Sequence, residues 1–170
     1  MLHFVSAYKI ASLEVGDDQL MKKVAKTKKP SFIVWAQKDK NGAPLQRIQI
    51  VKGFYSEKDR ETKEQLIDVI CSDGLKPDPL SKLCPSNNSS VSLDTCKFSQ
   101  DKGASELKTF WVDEEYDPNI ETFYYLRVLE NPTCRWTTWD ALKNNYEPRV
   151  GIDKIIQERA WSSPIWVSSN

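Results

Sequence analysis

Histidine is almost missing from this chain: His3 is the single one in 170 residues. A Ser-His or Cys-His nucleophile pair is thereby nearly excluded, because its base would have to be this lone residue. Glycine is scarce as well. The six glycines stand singly, none forming G-x-G-x-x-G or G-x-x-x-x-G-K, so no phosphate-cradling loop is expected. No apolar run approaches the ~20 residues of a membrane helix. Met1 to Gly16 also lacks the basic flank and apolar stretch of a secretory signal, so the chain reads as soluble, with no membrane partner. Excess charge is missing too: 24 Lys plus Arg balance 24 Asp plus Glu. A nucleic-acid partner is not expected at that balance.

What is present is aromatic. Six Trp, six Tyr and six Phe accompany an apolar fraction of only 39%, which predicts one domain with a modest core built largely from rings. Charge is balanced in total but not in position. Lys22, Lys23, Lys26, Lys28, Lys29, Lys38 and Lys40 crowd the first quarter, and Asp113, Glu114, Glu115, Asp117 and Glu121 cluster later. Both blocks read as solvated faces, since exposed ion pairs stabilise little.

Residues 1–30 have no clean period and are expected to be irregular, with at most a short helix over 19–25, because Gly16, Asp17 and Asp18 interrupt anything longer. Residues 31–170 read as a β-sandwich domain. SFIVWAQ (31–37) is a β-branched and aromatic run of strand length, and QRIQIV (46–51) alternates so that Ile48 and Ile50 share one face. The Asn41-Gly42 pair between them predicts an antiparallel hairpin, with Pro44 at a strand entry. QLIDVIC (65–71) and SELKTFWV (105–112) supply further strands. TFYYLRVLE (122–130) is apolar on both faces and is expected to be central. Thr137 and Asp140 read as the capping box of a short helix reaching about Asn145, and a last strand spans 163–168. Many short strands, one short helix and a long irregular loop at 72–104 predict a mainly β, antiparallel, immunoglobulin-like β-sandwich.

Cys71, Cys84 and Cys96 bracket that loop and Cys134 lies outside it. An even count fits an oxidising compartment, with free thiols as the alternative. A zinc site would need C-x-x-C pairs or nearby histidine, and neither exists. Three connectivities are open; the one that staples the loop joins Cys84 to Cys96 and leaves Cys71 with Cys134. The overlapping sequons at Asn87 and Asn88 read as a polar turn.

Carboxylate pairs such as Asp113 with Asp117, or Glu130 with Asp140, can be drawn in any chain this acidic and mark no catalytic site. The densest polar-aromatic group is Arg135, Trp136, Trp139, Arg159 and Trp161. It is expected to pack as core and corners, with arginine stacked on indole. If exposed, the same rings would offer a surface for sugar rings or other ligands.

The stretches WAQKDKNGAPLQRIQIVKGF (35–54), DVICSDGLKPDP (68–79), FYYLRVLENPTCRWTTWDAL (123–142) and IIQERAWSSPIWV (155–167) closely resemble the C-terminal part of bacterial proteins in the domain of unknown function 3604 family. The resemblance covers about Ser31 to Val167; residues 1–30 depart from the family pattern. Family members are longer, usually look exported, and resemble in their N-terminal part the polymerase and histidinol phosphatase group of metal-dependent hydrolases. No metal ligand of that group maps onto this chain. What maps is the tail: the thiols, Asn131, Pro132, Arg135, Trp136 and Asp140, and Gln157, Glu158, Arg159 and Trp161, whose role the resemblance leaves open. It implies a non-catalytic accessory C-terminal domain, without cofactor or metal, whose partner is a catalytic domain in the same or another chain. Export or a periplasmic location is implied as well. A free-standing carbohydrate-like binding module is the rival expectation.

Overall fold

The computed structural model describes residues 29–168 and, upstream of them, the backbone of β1 (Val5–Lys9). The expected helix at 19–25 and His3 lie outside the described residues. β1 corrects the expectation of an irregular start: the VSAYK backbone pairs antiparallel with β2 (Ser31–Gln37). On the other side of β2 lies β5 (Glu106–Val112), completing a three-stranded sheet.

The second sheet is built on β3 (Leu45–Ser56), β4 (Glu61–Cys71) and β6 (Thr122–Glu130). β6 is central, as its two-sided apolar pattern predicts. One edge pairs with β3; the other carries β9 (Arg159–Trp161) and β10 (Ile165–Val167) in succession. A small ladder joins β7 (Thr133–Cys134) to β8 (Ile155–Ile156).

The two sheets face each other as a β-sandwich. Phe32, Val34 and Ala36 of β2 and Leu107 of β5 bury against Ile48 and Ile50 of β3 and Tyr124, Leu126 and Val128 of β6. Alternation along each strand is what puts these side chains on one side. Phe32, Trp111 and Tyr124 form an aromatic cluster at one end, with centroids 4.9 to 6.5 Å apart.

The Asn41-Gly42 turn does not make a hairpin. β2 and β3 belong to different sheets, and the turn carries the chain across the sandwich. Lys38 explains how such a corner holds: its Nζ donates to the carbonyls of Asp39, Lys40 and Gly42 at 2.9, 3.2 and 3.1 Å, satisfying backbone that a hairpin ladder would otherwise pair. The hairpin lies instead at β3 and β4, which run past the apolar segments into polar sequence as far as Ser56 and Glu61, with a register shift at Ile48/Gln49.

Helix α1 (Trp136–Asn144) starts two residues earlier than the Thr137 capping box predicts. Arg135 occupies the cap without a side-chain bond, and Asn145 closes the other end in the left-handed region. Thr138 is turned inward, donating its hydroxyl to Lys154 O at 2.9 Å. That bond fixes the helix phase against the link leading to β8.

Residues 72–104 form no regular strand or helix, only the isolated bridge Val91 to Phe98 and the bridge from Ala104 to Leu45. The loop is held by disulfides Cys71–Cys84 and Cys96–Cys134. This corrects the expected pairing. The loop doubles back along the β4 edge, where Asp68 N–H donates to Lys82 O at 2.9 Å, and this brings Cys84 to the strand end at Cys71. Cys96 is left to meet β7.

Candidate functional site

Conserving a fold and presenting a surface require different residues, and the tail motif contains both. Asn131 is wholly buried. Its amide donates to Lys102 O at 2.8 Å and its carbonyl oxygen accepts from Asn87 Nδ2 at 2.9 Å, while its N–H donates to Pro44 O at 2.7 Å. Gly103 backs onto this amide at φ +89°; a Cβ there would sit 2.8 Å from Asn131 Nδ2 and 2.6 Å from Pro44 Cβ. The network continues outward through Asn87 to Asp73, which also accepts from Ser72 Oγ at 2.7 Å and Gly103 N–H at 3.0 Å. Burial pushes the Asp73 carboxyl up, but the bonds from Ser72, Gly103 and Asn87, with Lys102 nearby, outweigh it and hold the group below its ordinary value.

Gln157 belongs to the same scaffold, its amide donating to Gln46 Oε1 at 2.8 Å and Glu130 O at 2.9 Å. Arg135 donates from Nε to Asp153 O at 2.9 Å, and Cys134 is tied to Cys96. These motif residues pin the loop and the β7–β8 segment to the sandwich. Pro132, between Asn131 and β7, is half-buried. The Asn87 sequon is likewise committed inside, whereas Asn88 is exposed.

The tryptophans are placed otherwise than expected. Trp136 is 73% exposed, Trp139 53% and Trp161 56%, so they form neither core nor buried corners. The stacking of Arg135 or Arg159 on indole is not found among the described residues, where the cation-ring contacts are Lys52 over Phe54 and Lys108 over Trp35. The core is filled by Tyr124, Phe32 and aliphatic side chains, which leaves no interior need for these rings.

Two aromatic surfaces result. On the outer face of the five-stranded sheet, Phe123 lies flat on Gly53, where a Cβ would come within 2.1 Å of its ring. Phe123 stacks with Tyr125 at 6.4 Å and meets Trp166, 65% exposed, at 4.9 Å. The pairing of Trp161 with Arg127 places it farther along the same β6 edge. Beside α1, a separate open groove of about 570 Å³ is lined by Cys134, Trp136, Trp139, Asp140, Lys143 and Glu158. Asp140 is fixed there, accepting from Asn144 Nδ2 at 2.9 Å and from the Tyr146 hydroxyl.

A second concavity, of about 290 Å³, includes Asp68 and Asp113. Both carboxylates are already occupied. Asp68 accepts from Gln49 Nε2 and from Cys84 N–H at 2.6 Å, with Arg47 3.6 Å away. Asp113 pairs with Lys52 at 2.5 Å and accepts from the Tyr124 hydroxyl at 2.7 Å. Burial first, and then the bond to Asp113, push the Tyr124 phenol far up, so it remains a donor. Neither sequence-drawn carboxylate pair is used as such: Asp113 serves Lys52 and Asp140 serves Tyr146. Burial raises the Glu130 carboxyl. The lysine and acidic blocks meet at Lys29 and Glu114, 2.7 Å apart.

Sequence reasoning missed the buried Lys52–Asp113–Tyr124 triad, although its signal was present. A period of two from Ile48 and Ile50 carries Lys52 onto the core face, where a lysine requires a counter-charge. Among the described residues, no three His, Cys, Asp or Glu side chains are grouped to hold a metal ion. No described helix is long and apolar enough to cross a membrane.

The fold is therefore an antiparallel β-sandwich with two disulfides, a pattern that indicates an oxidising environment. The chain belongs to the family described as a protein of unknown function (DUF3604), whose profile matches residues 5–169. That span takes in most of the first thirty residues, which were expected to depart from the family pattern. No curated protein and no solved structure matches the chain.

Proposed function

We propose that this chain is the non-catalytic C-terminal part of a metal-dependent hydrolase, an immunoglobulin-like β-sandwich that buttresses a metal-binding domain carried in the same polypeptide or in a second chain. The observation that supports this reading best is the outer face of the five-stranded sheet, where Phe123, Tyr125, Trp161 and Trp166 crowd a surface that the sandwich core does not use. Phe123 and Tyr125 are half-buried beneath the exposed Trp166, and Trp161 lies exposed along the same edge; apolar patches of this kind mark contact surfaces. Arg159 on β9 would give the contact a polar rim. Metal and turnover belong to the other domain; this one holds no cofactor and acts by support. The two disulfides accord with an exported or periplasmic protein.

An antibody raised to the chain tests the proposal on native extracts of the source cells. The expected species is much larger than 19.6 kDa, the mass of this chain. A single species that blots near that mass and elutes as a monomer would overturn the reading.

A further inference from the structure

The α1 groove carries chemistry that support of a neighbouring domain does not require. Trp136, Trp139, Asp140 and Lys143 fall at helical spacings of three and four, so one stripe of α1 presents two indoles, a carboxylate and an ammonium to the groove, with Glu158 facing them from the β8–β9 link. Asp140 is held by Asn144 and Tyr146. The side chains of Lys143 and Glu158 make no hydrogen bond or ion pair among the described residues; Glu158 is held through its backbone, whose carbonyl accepts from Glu130 N–H at 3.0 Å. The groove thus combines exposed ring faces with one unengaged donor group and one unengaged acceptor group.

We propose that this groove binds a neutral oligosaccharide. Indole faces stack on the C–H faces of sugar rings, while an ammonium and a carboxylate on opposite walls bond hydroxyls, which both donate and accept. A strongly anionic ligand is disfavoured by the carboxylates of Glu158 and Asp140, the latter already accepting from Asn144 and Tyr146, and a strongly cationic one meets the Lys143 ammonium. The open shape admits a chain that passes through rather than a small molecule that must be enclosed. This inference stands apart from the docking role, which rests on the outer sheet face and not on α1.

Calorimetric titration and tryptophan emission, on the intact chain, test it with neutral hexasaccharides of glucose, xylose, mannose, galactose and N-acetylglucosamine, alongside hexalysine and hexaglutamate. Saturable binding of at least one neutral sugar is expected. Trp136→Ala and Trp139→Ala should each weaken it by roughly tenfold or more, and Trp166→Ala should leave it unchanged. If either groove variant loses cooperative unfolding, Lys143→Met combined with Glu158→Gln takes its place, with a loss of about tenfold expected. No binding of any sugar, sugar binding indifferent to these substitutions, or tighter binding of either charged peptide would overturn the proposal.

Discussion

Asn131 and Trp136 belong to one short motif yet meet opposite surroundings. The polar amide is wholly enclosed and the largest apolar side chain stands in water. The Asn131 region is a closed account of donors and acceptors: Lys102, Pro44, Asn87, Ser72, Gly103 and Asp73 satisfy one another, so the long loop is held by hydrogen bonds and disulfides rather than by apolar packing. The α1 region is the reverse, with rings that no core element covers. The contrast separates motif residues that make the fold from those that face something outside it.

Substitutions should divide along that line. The largest effect is expected at the buried pair: Lys52→Met leaves Asp113 as an uncompensated buried carboxylate and should cost about 3–5 kcal/mol in denaturant unfolding. Removing the Cys96–Cys134 bridge with paired alanines should cost about 4 kcal/mol, and removing Cys71–Cys84 about 3 kcal/mol, because the former closes the longer loop. Reversal of that order would place residual structure in the unfolded loop. Asn131→Ala should cost about 1–3 kcal/mol by removing one acceptor of the Asn87 amide and the side-chain donor to the Lys102 carbonyl. Trp136→Ala and Trp166→Ala should lie within about 0.5 kcal/mol of the parent, and a larger loss at either would make it a folding residue.

Acidity sharpens the same contrast. The folded-state pKa of Asp73 is depressed, so its contribution is present above the unfolded value and is lost as pH falls through the folded one. Asp73→Asn should lower stability at neutral pH and flatten the acid limb of the pH–stability curve, read by thermal melts. Glu130 runs the other way: its raised pKa favours the fold below the unfolded value and that benefit is lost as pH rises through the folded one. Glu130→Gln should therefore gain relative stability on the neutral side.

Much of the sandwich was legible in local pattern. β2, β5 and β6 follow their β-branched and aromatic runs, and the two-sided hydrophobicity of β6 gave its central place. What failed depended on chain path. An Asn-Gly turn favours a hairpin locally, but Ile48 and Ile50 gain more by facing Phe32 and Val34 across the core than the turn could gain by pairing its strands. Disulfide partners followed the fold of the loop along β4, which spacing does not encode. Tryptophan burial was misjudged because hydrophobicity describes the residue and not the supply of interior space, already filled by Tyr124 and Phe32. The two aromatic surfaces could be seen only once the strands had been given their faces.

The proposed docking role requires the outer sheet face to be covered in the native protein, and oxidative footprinting measures this directly. The species purified from its source would be compared with the isolated chain, residue by residue. Trp161 and Trp166 should be protected in the native species relative to the isolated chain, with Trp136 and Trp139 reacting alike in both. Equal reactivity of Trp161 and Trp166 in the two samples would contradict the account.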